Sequence, residues 1–454
     1  MLSKLSYRFA CRLLLLSAVI TLLNACKPVS QELVGVPEGK KAEGSKIPMP
    51  CQLAAPSTDG PSGGKYLINF AIDSSASMSG FAKNSNSRYN KIITLLDNIT
   101  NVNAGQVEYF RFDDTVKKMD RAEFMQAKNS SFYTGKTNRI ADVLESSTPK
   151  TEKLVAIVTD LQQDDGDTKQ ATKKLIESYL KTPGYAVAVW GFRSEFDGLV
   201  YPPNSSSPYQ YQANSLEKGH PFYILLVGRL ANINDFVKQV REQGGTIVGD
   251  GSNQLSIFSP DRLVEEITYL KGEPKDLPEG FTAPPSLLLN GVALIDGGQP
   301  MGFLEIGSRA VGKSKIKYIL PAKLAQDTVS NWISLTTSKV EKYSDPDKKF
   351  NTDPAVKTTD FQVNQAVNDQ NIHLNLDLNP DAFSNGLYYV TTDVKITGIR
   401  TPTEWDKWND PTQKNGSKTE GLKEFLDSLS VGVSTITKSK PVTVARLCHG
   451  IQKN

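Results

Sequence analysis

Residues 66–80 read YLINFAIDSSASMSG. From Tyr66 to Ile72 the run is apolar except at Asn69, and it then gives way to Asp73, Ser74, Ser75 and Ser77. A strand that is apolar along its whole length is one buried on both faces, as in sheets covered by helices. In such sheets ligands bind beyond the carboxyl ends of the strands, where loops converge. The stretch therefore predicts a central buried strand that carries oxygen ligands at its C-terminal end.

The flanking sequence supports that frame. Tyr89, Ile92, Ile93, Leu96 and Ile99 recur at helical spacing, and VEYFRF from Val107 alternates as a strand. LVAIV (154–158), AVAVW (186–190) and FYILLV (222–227) are buried-strand runs. TKQATKKLIESYL separates the first two, and DFVKQVREQGG follows the last and stops at a double glycine. This alternation predicts an α/β domain with a doubly wound, mainly parallel sheet. Two further segments aim oxygen at the same edge. Asp160 ends KLVAIVTD, and Thr137 lies in TGKTNRIADVLE just before a helix start. Two carboxylates and three hydroxyls, with no His or Cys close in sequence, suit a hard divalent cation.

Asp73-x-Ser75-x-Ser77, then Thr137, then Thr159-Asp160, resembles the metal-ion-dependent adhesion site of the von Willebrand factor type A (VWA) family, over roughly residues 63–245. The resemblance implies a Rossmann-like VWA fold. It also implies Mg²⁺, or Mn²⁺ or Ca²⁺ in its place, held by Asp73, Ser75, Ser77, Thr137 and Asp160. In that family a partner protein fills the open coordination position with a carboxylate, so the implied role is binding, not catalysis. The competing reading leaves Ser75, Ser77 and Thr137 as caps of turns and helices. The sequence departs from the family at Leu161-Gln162-Gln163, where many members place a glycine directly after the aspartate. Asp164, Asp165 and Asp167 follow, as a second cation site or a solvated acidic loop. A long polar insertion, residues 194–220, leaves a strand end on the same face, and Tyr201, Tyr209 and Tyr211 on it are candidate partner contacts.

The chain begins with Lys4, Arg8 and Arg12, then LLLLSAVITLL, then Leu23-Asn24-Ala25-Cys26. This resembles a lipoprotein signal with Cys26 as the lipidated residue; a plain secretory signal or membrane anchor is the alternative. Several acyl chains would hold the protein stably at a membrane. With Lys27 next, the outer membrane is expected if the host has two membranes. The full chain carries 52 Lys and Arg against 49 Asp and Glu. Loss of residues 1–25 removes three bases and no acid, so the mature chain is formally neutral, and no nucleic-acid partner is indicated. Of the four cysteines, Cys51 and Cys448 remain, expected to form a disulfide in an oxidising compartment, with two unrelated thiols as the alternative.

The expected organisation is a signal (1–25), a flexible tether (26–62), the VWA domain (63–245), a connector (246–280) and a β-sandwich-like domain (281–454). In the last, HLNLDL, LYYVTTDVKITGI, DSLSVGVSTIT and PVTVARL alternate, and TEGLKEFLDSL is the one convincing helix, with Thr419 as a possible N-cap. Residues 307–314 match the phosphate-loop pattern GxxxxGK[ST], but that loop requires a helix after it, and SKIKYIL alternates as a strand. The pair MGFLEI and SKIKYIL reads as a hairpin, so no nucleotide is expected. Trp405 and Trp408 are expected to pack on the β domain. His220, His373 and His449 form no catalytic arrangement by spacing. Besides cation-dependent binding, two alternatives stand: a scaffold of an envelope complex, and a metal-dependent hydrolase using Asp113, Asp114 or Asp164 as base.

Overall fold

The strand that presents Asp73 lies inside a seven-stranded sheet, flanked on both sides. The structure, a computed structural model, describes residues 66–454 short of 104–105, 148–152, 163–164, 204–206, 262–263, 267–273, 276, 290–291, 295–300, 321–322, 325–332, 345, 348, 369–370 and 413. In chain order the strands are β1 (Leu67–Asp73), β2 (Gln106–Phe112), β3 (Val116–Met119), β4 (Leu154–Thr159), β5 (Tyr185–Ser194), β6 (Phe196–Val200), β7 (Tyr209–Ala213), β8 (His220–Arg229) and β9 (Asn253–Phe258). The sheet order is β3-β2-β1-β4-β8-β5-β9, and β6 and β7 form a separate hairpin.

This sheet is mixed, which corrects the expected doubly wound, mainly parallel, Rossmann-like VWA sheet. β1 pairs parallel with β2 and β4. The pairings β2–β3, β4–β8, β5–β8 and β5–β9 are all antiparallel. The cause lies in the insertion. Parallel neighbours need a long crossover, but antiparallel ones do not. The chain leaves β5, turns through the β6–β7 hairpin and re-enters directly as β8, which wedges between β4 and β5. β1, β2, β4 and β5 nevertheless run in one direction, so their carboxyl ends and the start of β8 share one edge.

Helices cover both faces. On one, α1 (Arg88–Asn103) places Tyr89, Ile92, Leu96 and Ile99, and α4 (Leu230–Gly244) places Ile233, Phe236 and Val240, against Phe70, Trp190, Phe222 and Ile224. α4 stops where Gly245 takes φ +47, a region that favours glycine. On the other face, α2 (Ile140–Ser146) and α3 (Asp165–Lys174), which runs on into a π-helical turn at Leu175–Leu180, pack on Ala71, Val155, Val187 and Leu225.

The rest of that second face is covered from far along the chain. α5 (Leu422–Ser439) joins the same core through Leu422, Phe425, Leu426, Leu429 and Val433. This corrects the strand reading of DSLSVGVSTIT and the placement of its helix in the β domain. Val431, turned outward and 64% exposed, produces the apparent alternation. The helix starts after Gly421 at φ +74, not at Thr419. Trp405 and Trp408 also lie on this sheet rather than on the β domain. Trp405 Nε1 donates to Ser256 Oγ at 2.9 Å. A Cβ on Gly191 of β5 would stand 3.1 and 3.2 Å from the two indoles, so glycine there admits both rings.

The later strands form a four-stranded sheet (274–275, 314–320, 371–378, 361–368) and a six-stranded one (281–282, 301–306, 442–453, 386–396, 333–344, 349–352). Ile316, Phe361, Leu376 and Leu378 from the first meet Tyr388, Val390, Leu447 and Ile451 from the second. Met301–Ile306 and Ser314–Leu320 belong to different sheets, so they are not the expected hairpin, and a strand follows Ser314. Among the described residues, no helix is long and apolar enough to cross a membrane.

Candidate functional site

Asp73 leaves the end of β1 fully buried, and its carboxylate is held from several directions. Oδ1 accepts from the Ser75 backbone N–H at 2.9 Å. Oδ2 accepts from Asn138 Nδ2 and from Thr159 Oγ1, both at 2.7 Å. Ser75 and Ser77 hydroxyls lie 3.0 Å apart. Gly135 pairs with Ser75, Gly135 N–H donating to Ser74 O at 3.0 Å, which brings the Thr134–Asn138 loop to the end of β1. A Cβ at Gly135 would meet the Asp113 Cβ, so this approach requires glycine.

Asp160 closes the group from the end of β4. It too is fully buried. Oδ1 accepts from Gln162 N–H at 3.0 Å, while the buried Oδ2 has no hydrogen-bond partner. Burial, then the neighbouring Asp73 charge, pushes its pKa up to about 7, against the pull of a Ser77 hydrogen bond. Burial likewise raises Asp73, opposed by its hydrogen bonds to Ser75, Thr159 and Asn138. Two carboxyl groups removed from water beside each other resist sharing full charge.

The structure thus gathers Asp73, Ser75, Ser77 and Asp160. Thr137 is exposed, and its hydroxyl donates to Asp114. Its neighbour Asn138 takes the inward position instead. Sequence reasoning missed Asn138, and it quoted Thr159 in the motif without giving it a role. Thr159 carries a signal, as a hydroxyl immediately before the strand-end aspartate, whereas Asn138 carries none without the loop geometry. Asp113 accepts from the Ser74 hydroxyl at 3.2 Å. Asp164 lies outside the described residues.

After Asp160 the backbone turns sharply. Leu161 takes φ +57, the only non-glycine positive φ among the described residues. This is the position where the family resemblance expects glycine, and the left-handed region disfavours a residue with a Cβ. Gln162 then ties the loop down: its Oε1 accepts from Tyr201 N–H at 2.9 Å and its Nε2 lies 3.3 Å from His220 Nε2. His220 is buried, stacks on Phe81 and bonds Gly416 O through Nδ1; burial lowers its pKa to about 4, keeping it neutral.

Two of the insertion tyrosines, Tyr209 and Tyr211, pack against the core. Tyr211 covers Gly416, where a Cβ would run into the ring, and its hydroxyl donates to Lys218 O. Tyr209 is half-buried, and burial, then the charge of Asp410, moves its hydroxyl up to about 12. Tyr201 is also half-buried. Cys26 and Cys51 lie outside the described residues. Cys448 is buried and disulfide-bonded, and Tyr389 Oη donates to its Sγ at 3.0 Å.

Among the described residues no three His, Cys, Asp or Glu side chains form a metal cluster. A cation here would rely on two carboxylates and hydroxyls. The unpartnered Oδ2 of Asp160 fits that use, because a buried carboxylate oxygen without a donor is costly. No family model and no curated protein matches the chain. The crystal structure of an aerotolerance-related membrane protein from Bacteroides fragilis NCTC 9343, with multiple mutations to serines, is similar at 15% identity, covering 39% of this chain and 88% of its own. The TM-score is 0.20, and a likeness at that level carries no argument about fold or function.

Proposed function

We propose that the chain is a lipid-anchored envelope protein that binds a partner protein through a divalent cation. Asp73, Ser75, Ser77 and Asp160 would hold the ion, with Thr137 reaching it after release from Asp114. The cation, Mg²⁺ or another hard divalent ion, would supply an electrophilic position for a carboxylate of the partner. The single observation that carries this reading is the buried, donorless Asp160 Oδ2 beside buried Asp73. A divalent charge would relieve both carboxylates at once. Lipidation at Cys26 would place the site at the membrane, and a Cys51–Cys448 bridge would tie the tether to the final strand.

The test is proximity labelling of intact cells with and without EDTA, comparing the parent with Ser75→Ala/Ser77→Ala. A protein labelled only with metal and an intact site is the expected result. Equal labelling in every condition would remove the cation from the mechanism. Direct Mg²⁺ titration of Asp73→Ala, expected to show no binding, separates loss of the ion from loss of the partner.

A further inference from the structure

A groove of about 990 Å³ runs between α3 with its π-helical extension and α5. It is touched from Thr168 to Lys181 on one side and from Gly421 to Ile436 on the other. Spans of that length correspond to roughly 20 Å of helix. Its apolar floor is Leu161, Ile176, Phe425 and Ile436, all at least half-buried, and exposed Val431 stands at its rim. Gly432 lets the two helices close on Ile176, whose side chain a Cβ there would meet at 2.7 Å. The π-helical turn Leu175–Leu180 lies along the groove, and such turns recur at functional positions.

The two walls differ in charge. α3 and its extension contribute exposed Lys169, Lys173 and Lys181, with Glu177 among them. α5 contributes Glu424 and Asp427. We propose that this groove seats an amphipathic helix of a partner protein, with its apolar stripe on the floor, an acidic edge toward the lysines and a basic edge toward Glu424 and Asp427. The length, the apolar floor and the oppositely charged walls match that occupant, and helix-in-groove binding reads by spaced apolar anchors. Opposite walls also fix the direction in which a given helix lies, because turning it end for end exchanges its edges. The proposal does not depend on a cation at Asp160.

Fluorescence anisotropy tests it with the full chain. The probes are three labelled helical peptides of about 16 residues, sharing one leucine stripe but carrying mixed, all-acidic or all-basic edges. The mixed-edge peptide should bind at least about tenfold more tightly than either other, since like charges across an interface are costly. Lys169→Glu/Lys173→Glu, on exposed positions, should move the preference to the all-basic peptide. Val431→Glu, also exposed, should weaken all three, with EDTA changing none of these results. Equal binding of the three peptides, no binding, or an unchanged preference in the double variant would overturn the proposal. So would self-association of the chain that Val431→Glu abolishes, which would assign the groove to a second copy.

Discussion

The two faces of the seven-stranded sheet are covered in different ways. One takes its helices from its own connections: α1 joins β1 to β2, and α4 joins β8 to β9. The other begins the same way, with α2 and α3, but is completed by Trp405, Trp408 and α5. The bonds that secure this second cover are long in sequence: Tyr223 Oη to Thr419 Oγ1 at 2.9 Å spans 196 residues. Arg193 adds a guanidinium 4.8 Å over the Trp408 ring and donates to Ser417 O at 2.9 Å. A sheet whose last helical crossover passes on one side leaves the opposite side of its outer strands bare. Apolar strand faces such as Val187, Val189 and Phe258 must then be buried by a remote segment.

The largest test of this contrast is Trp405→Ala. Truncating a fully buried tryptophan costs about 3–5 kcal/mol, and here it also leaves Ser256 without its donor. If the borrowed cover is part of one cooperative core, urea unfolding should keep a single transition at lower midpoint. A new early transition with the main one unmoved would show that the sheet stands without the cover.

A second test compares the site edge with both covers. In metal-free protein Asp160 has a folded pKa above its unfolded value, so its contribution to stability is present below the unfolded pKa and is lost as pH rises through about 7. Between pH 5 and pH 8 in EDTA, stability should fall by about 2–3 kcal/mol, because each tenfold difference in proton affinity between the folded and unfolded chain is worth roughly 1.4 kcal/mol. Asp160→Asn should flatten that slope. Saturating Mg²⁺ should raise the melting temperature more at pH 8 than at pH 5, and equal rises at both would count against a cation at these carboxylates.

The smallest expected effect is Leu161→Gly. Relief of the left-handed backbone gains about 1–2 kcal/mol, and loss of a half-buried leucine removes a similar amount. Stability should therefore stay within about 1 kcal/mol of the parent in chemical denaturation. A loss above about 3 kcal/mol would mean that Leu161 acts chiefly through packing.

Much of the first region was legible because buried strands announce themselves. LINFAID, LVAIVT and YAVAVW are apolar beyond what a half-exposed strand needs, and the ends of the first two place Asp73 and Asp160 on one edge. Strand direction was not legible. An apolar run carries no mark of parallel or antiparallel pairing, and the short re-entry from β7 to β8 decided it. In the C-terminal region, LSVGVSTIT satisfies both a two-residue and a helical period, and only burial of Leu429 and Val433 against the sheet selects the helix.

The amino-acid order alone therefore determined the buried cores of β1, β4, β5 and β8, and that hydroxyls and carboxylates collect at the carboxyl ends of β1 and β4, because these follow from local periodicity and from the sudden loss of apolar character. Tertiary structure decided the rest. It set the mixed pairing of the sheet, turned Asn138 rather than Thr137 toward Asp73, and laid α5 and two tryptophans over strands that precede them by more than a hundred residues. Each of these depends on which distant surface is left to be buried, and no local stretch of sequence contains that information.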